Sequence, residues 1–122
     1  MNDKSSEELS ATTTSEATIF TDVWLDSSIK EEWATAASID RQNWQYVDYL
    51  VGHESSWNPK AVNPSSGAYG LAQALPANKM SSTAEDWRDN PITQLRWMDS
   101  YVHSRYGSWE AAVNFWKKEG WY

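Results

Sequence analysis

Nine tryptophans in 122 residues, with no cysteine, set the terms on which this chain can fold. Without disulfides a small domain closes only by burying apolar surface. Indole rings must supply much of that surface here, because the mean hydropathy is only −0.72. The same rings, joined by six tyrosines, also suit a sugar-binding surface, being flat and apolar with a polar edge. Composition leaves both uses open: tryptophan as core, and tryptophan as platform.

Spacing and punctuation favour helices, and no alternating run of strand length stands out. A first helix is predicted from Asp26/Ser27 to about Ala37, with Ile29, Trp33 and Ala36 or Ala37 on one face. A second is predicted from Asp40 to about Ser55, where Trp44, Val47, Leu50 and Val51 repeat at helical spacing. A long loop follows from Trp57 to Leu75, rich in turn signals: Asn58-Pro59, Asn63-Pro64 and Ser65-Ser66-Gly67. A short third helix is placed around Thr83 to Arg88. Asn90 as cap and Pro91 at the first helical position open the fourth, which Gly107 ends. Ser108 caps a last helix, Trp109 to Lys118, and Gly120 stops it. The expected fold is mainly α, one small bundle-like domain over residues 23–122.

Residues 1–22 read differently. Met1 to Thr18 is dominated by Ser, Thr and Glu, with one Leu and no aromatic ring. Such a stretch buries too little apolar surface to offset its ordering entropy, so a disordered tail or linker is expected. Asp3, Glu7, Glu8, Glu16 and Asp22 against Lys4 give it −4 of the net −7. Residues 23–122 then carry −3, twelve acids against nine bases. Phosphate-driven nucleic-acid binding is a poor fit to that balance. No apolar run is long enough to span a membrane, and no basic start plus apolar stretch marks a signal peptide. Such a leader looks like a linker from a longer secreted protein. With two histidines and no cysteine, no metal centre and no cofactor are expected.

Chemistry concentrates at Glu54. It lies three residues after Val51, four after Leu50 and seven after Val47, so it continues the apolar face of the second helix at its C-terminal end. Burial there disfavours the charged carboxylate, and the negative end of the helix dipole pushes the same way. A carboxyl kept protonated near neutral pH suits a general acid. An ordinary solvent-facing Glu on a frayed helix end has the same spacing. His53-Glu54 also begins a zinc-protease motif, but the second ligand position holds Trp57, so that motif is broken.

The flanking residues add three ordered motifs. Glu54-Ser55-Ser56-Trp57-Asn58-Pro59 comes first, then Ser66-Gly67-Ala68-Tyr69-Gly70-Leu71-Ala72-Gln73, then Asn90-Pro91-Ile92-Thr93-Gln94. Trp97, Tyr101, Arg105, Tyr106 and Gly107 follow, and the chain closes on Gly120-Trp121-Tyr122. The combination, over about residues 40–122, resembles the soluble lytic transglycosylase (SLT) family of the lysozyme-like superfamily. The short terminal domain of aggregation-promoting-factor-like cell-surface proteins of lactobacilli is the nearer likeness. The fold so implied is a small lysozyme-like helical domain with a long substrate loop.

The resemblance implies cleavage of the β-1,4 bond between N-acetylmuramic acid and N-acetylglucosamine, leaving 1,6-anhydro ends. It makes Glu54 the catalytic acid/base and peptidoglycan glycan strands the partner. Ser55, beside the acid, is implied to contact substrate or to cap the helix end. Tyr69, Gly70 and Gln73 match positions that line the family's cleft, and Gly67 and Ala68 match its small residues. Asn114 falls where longer members carry a Tyr-Asn pair, but here the pair reads Val113-Asn114. Trp121 and Tyr122 are the terminal rings best placed for sugar stacking. Trp57 is read as core or cleft floor, and Trp97, Trp109 and Trp116 as core. Asp48, six residues before Glu54 on the same helix, points elsewhere, while Asp86, Asp89 and Asp99 cannot be placed from sequence. A monomer that is secreted or associated with the cell wall is expected. Two alternatives stay open: a muramidase hydrolase on the same site, and a wall-binding or adhesion module that turns over little.

Overall fold

The computed structural model describes residues 27–122. The expected tail, residues 1–22, lies outside the described residues. Among the described residues four α-helices carry the fold: α1, Ser27–Ala36; α2, Trp44–Ser55; α3, Pro91–Tyr106; and α4, Trp109–Glu119. Three 3₁₀ turns among the same residues join them, Arg41–Asn43, Ala77–Ser82 and Glu85–Arg88. The domain is small and mainly α. The nearest approach to a sheet among the described residues is a pair of isolated bridges, Val62 to Tyr69 and Tyr69 to Ala74.

Local capping decides most helix ends. The Asn90 side chain accepts from the Ile92 N–H, and Pro91 sits where a missing N–H costs nothing. The Ser108 side chain accepts from the Ala111 N–H. Gly107 and Gly120 end α3 and α4 in the left-handed region. Asp40 does cap the second helical segment, accepting from the Gln42 N–H, but the first turn is 3₁₀ and α2 begins at Trp44. The Trp44 indole N–H donates to the Ile39 carbonyl at 3.0 Å and ties that tight turn together. In place of one short third helix there are two 3₁₀ turns. Each has a single deeply buried anchor, Met80 or Trp87, which holds a turn but makes no helical stripe.

α4 packs on both α2 and α3, and α1 packs on α3 and α2. Between them lie Val47, Leu50 and Val51 of α2, Leu95, Met98 and Val102 of α3, and Trp109, Ala112 and Val113 of α4. Leu71 and Met80 fill the same core from the connecting segment. Trp57, Trp87, Trp97 and Trp109 are all buried, so the core use of tryptophan dominates. Trp109 shows how a polar-edged ring is accommodated: it is fully buried, and its N–H donates 2.7 Å to Asp99.

Candidate active site

α2 ends abruptly one residue after Glu54. Ser56 and Trp57 both adopt left-handed backbone, at φ 55° and 61°, a conformation that costs non-glycine residues about 1–3 kcal/mol each. The burial of Trp57, and its N–H bond to Asp48 at 2.8 Å, hold the chain there. The reversal sends the loop back across the end of α2, where Ser55 meets Leu71.

That loop is rigidly self-bonded. Asn58 and Asn63 close Asx turns onto Lys60, Ser65 and Ser66, and Tyr69 and Ala74 exchange both backbone bonds at 3.1 Å. Its innermost residue, Leu71, is gripped from two sides. The Ser55 hydroxyl donates to the Leu71 carbonyl at 3.0 Å, and Gln94 Oε1 accepts from the Leu71 N–H at 2.8 Å. Gln94, wholly buried on α3, also donates to the carbonyls of Trp87 and Pro59. A buried amide with its donors and acceptor all used is worth several ordinary hydrogen bonds.

Glu54 is 4% exposed. The indole N–H of Trp116, on α4, donates to its Oε2 at 2.9 Å. Two phenols on the same side feel its charge. Burial pushes the Tyr122 hydroxyl well above the ordinary tyrosine value, and Glu54 adds to the rise. Tyr106 is raised first by burial, with a smaller contribution from Glu54. Both phenols therefore stay neutral around pH 7 and keep their donor hydrogens. Rings extend away from this point in contact: Trp97 stacks on Tyr101 at 4.9 Å, Tyr101 meets Tyr122 edge-on at 5.5 Å, and Tyr106 meets Phe115 at 5.2 Å. A depression of about 110 Å³ lies against this wall, lined by Gln73, Leu75, Lys79, Trp97, Tyr101 and Tyr122. A larger hollow, about 210 Å³, lies elsewhere, among Lys30, Trp44, Asp48 and Trp57; Glu54 is part of neither lining.

The residues named from sequence fall into distinct places. Gln73 and Tyr122 border the depression, and the Tyr122 hydroxyl donates to the Ala72 carbonyl at 2.8 Å. Gln73 itself has left-handed backbone, with its amide donating to the Ala61 and Gly70 carbonyls. Tyr69 is half-buried, edge-on to Trp87, with its hydroxyl on the Arg88 carbonyl. Trp121 is exposed, edge-on to Phe115 at the far end of the aromatic wall. Ser55 is wholly buried, and its hydroxyl serves the Leu71 and Val51 carbonyls, so it braces the loop. Gly70 is needed for a protein contact: a Cβ there would lie 2.6 Å from Gln94 Oε1, at φ +79°. Asn114 is exposed and lies about 200° round α4 from Trp116, so the structure does not bring it to Glu54.

Sequence reasoning misses two residues. Helical spacing assigns Trp116 to the core, yet it is half-buried and reaches the carboxyl. Gln94 reads only as part of a motif, although a polar residue between Ile92 and Leu95 on an apolar stripe is a usable signal. The acids that sequence cannot place are committed elsewhere. Asp86 bonds Thr93 and Asn90, Asp89 bonds Lys60, and Asp99 bonds Trp109. Among the described residues no group of acids and histidines could hold a metal ion, and no helix is long and apolar enough to cross a membrane.

Comparison with known proteins bears on the same span. The chain is 36% identical over 96 residues to a probable transglycosylase IsaA of Staphylococcus xylosus, covering 78% of this chain and 34% of that protein. It is 39% identical over 74 residues to the protein of the same name in Staphylococcus haemolyticus, covering 60% of this chain and 27% of that one. The chain thus spans about a third or less of the length of these curated relatives. No solved structure matches it significantly. The model of the transglycosylase SLT domain matches residues 31–117, from the first turns of α1 to near the end of α4. That span holds Glu54, the braced loop, Gln94 and Trp116 in one continuous match, and the chain belongs to the transglycosylase SLT domain family.

Proposed function

We propose that this domain is a peptidoglycan lytic transglycosylase in which Glu54 is the single catalytic acid/base. The observation that carries the reading is a carboxyl withdrawn from water at a helix end and hydrogen-bonded by an indole. Family membership and the relatives named as probable transglycosylases support the reaction class. Burial and the helix C-terminus raise the affinity of Glu54 for its proton, while the Trp116 N–H opposes them in part.

The chemistry balances with one carboxyl. Protonated Glu54 gives its proton to the glycosidic oxygen as the bond from that oxygen to C1 of N-acetylmuramic acid breaks. The substrate's own acetamido oxygen supports C1, the role a second carboxylate plays in ordinary glycosidases. Glu54, now ionised, takes the proton of the C6 hydroxyl as O6 closes onto C1. The products are a 1,6-anhydro end and a free 4-hydroxyl, with no water consumed. Commitment of Asp48, Asp86, Asp89 and Asp99 to other partners fits a mechanism without a second acid. The aromatic wall offers faces for pyranose rings, and a wall-associated or secreted setting follows from such a substrate.

The test is digestion of purified peptidoglycan by the wild type and by Glu54→Gln, with fragments read by mass spectrometry. Anhydro-muramic ends from the wild type alone are expected. New reducing ends would instead mean a muramidase. Equal wall binding with no fragments from either protein would mean a binding module.

A further inference from the structure

Trp116 and Glu54 are 62 residues apart in the chain, yet they share one 2.9 Å hydrogen bond. The indole that makes it is held firmly. The His53 imidazole lies against it at 4.5 Å, and the Tyr49 ring meets it edge-on at 5.7 Å. His53 leans on Tyr49 in turn, at 4.3 Å, and the Lys117 ammonium sits 5.2 Å from the Tyr49 ring. Both clamping residues belong to α2, the helix that carries Glu54. The indole is thus packed against the helix that carries its acceptor.

A bond so placed has a chemical consequence. An indole N–H only donates. It cannot receive the carboxyl proton, and it favours negative charge on the oxygen it touches. We propose that Trp116 is the positioning residue of the catalytic acid: it fixes the plane of the Glu54 carboxyl and keeps the acid proton off Oε2, the oxygen it touches. The inference rests on Glu54 being the acid/base. It goes further in naming the oxygen from which the proton is kept and the group that keeps it off. The same donor eases the first half of the reaction, because it stabilises the carboxylate that forms as the leaving oxygen is protonated. The groups around the pair are His53 and Tyr49 on α2, Lys117 on α4, Tyr106 on α3 and the terminal Tyr122.

The experiment uses the full chain labelled with ¹⁵N. The nine tryptophans give indole N–H resonances, and the one missing from Trp116→Phe is that of Trp116. In the wild type this resonance should move with pH, with a midpoint on the alkaline limb of the activity profile, where the acid loses its proton. In Glu54→Gln that step should vanish. Trp116→Phe should lower kcat about tenfold with KM changed less than about twofold, and move the alkaline limb up by about one pH unit, as loss of a hydrogen bond to a charged group implies. A structural anchor alone would lower stability and leave the limb in place. A wild-type Trp116 resonance with no Glu54-dependent step overturns the proposal, whether or not the Phe variant folds. So does a folded Trp116→Phe with an unmoved limb. If the resonance titrates but Glu54→Gln digests peptidoglycan as fast as the wild type, the acid reading fails and takes the catalytic role of the bond with it, though the bond itself stands.

Discussion

α2 carries two carboxylates on different flanks, and each accepts an indole N–H: Asp48 from Trp57 at 2.8 Å, and Glu54 from Trp116 at 2.9 Å. The two regions otherwise diverge. The Asp48 side chain is 56% exposed and also pairs with Lys30 at 3.0 Å, beside a hollow of about 210 Å³. Glu54 is 4% exposed, with a braced loop packed across its helix end. An indole partner does not distinguish the two carboxylates. Withdrawal from water does, and desolvation disfavours the charged form of a carboxyl.

The sharpest way to break this comparison is to neutralise each carboxylate. Glu54→Gln should lower the rate of peptidoglycan cleavage by at least about 100-fold, the scale of general acid catalysis. Asp48→Asn should leave it within about twofold, since an exposed pair contributes only ~0–1 kcal/mol. Equal losses would erase the distinction between the two flanks.

The next largest effect concerns what holds the Glu54 side shut. Gly70→Ala would drive a Cβ into Gln94 Oε1 at left-handed φ and should cost about 3 kcal/mol in urea unfolding, combining backbone strain with a disturbed buried hydrogen bond. A Cβ added at Gly52, inside α2, would meet nothing within 4 Å. Gly52→Ala should therefore stabilise by about 0.5–1 kcal/mol, the ordinary gain of alanine over glycine in a helix. If both changes destabilise alike, the close approach of Gln94 is not what requires Gly70.

On the open flank, Lys30→Ala should cost no more than about 1 kcal/mol, and high salt should shrink the difference from wild type. The smallest effect is at Asp86, away from both regions. The Thr93 hydroxyl, then the Asn90 amide, holds its carboxyl below the usual aspartate value. A lowered folded value supports folding above the unfolded value and loses that support as pH falls through the folded one. Asp86→Asn should flatten this acid-side slope of the stability curve, while the wild type keeps it.

Much of this is legible in the chain because it is local. Asn90-Pro91, Gly107-Ser108 and Gly120 act within one helical turn, and α3 and α4 begin and end where these residues place them. The inward face of α2 follows from the spacing of Val47, Leu50, Val51 and Glu54. The second helical segment is legible too, but its 3₁₀ first turn is not, since that depends on an indole folding back onto Ile39. Ser55 and Gly70 stand out by motif, yet their contacts, with Leu71 and Gln94, join segments far apart in sequence. Asn114, where the pair reads Val113-Asn114, is exposed on α4 and turned away from Trp116, a direction that the motif alone does not carry.

Sequence alone thus determined the helices, the aromatic core and the placing of one carboxyl on an apolar face, because caps and periodicity are short-range properties of the chain. Tertiary structure alone decided which tryptophan left the core to meet that carboxyl. Trp109 and Trp116 stand two turns apart on one helix, but α4 docks so that one is sealed against Asp99 and the other opens onto Glu54. Such a choice depends on how helices from distant parts of the chain pack together, and no local pattern carries that information.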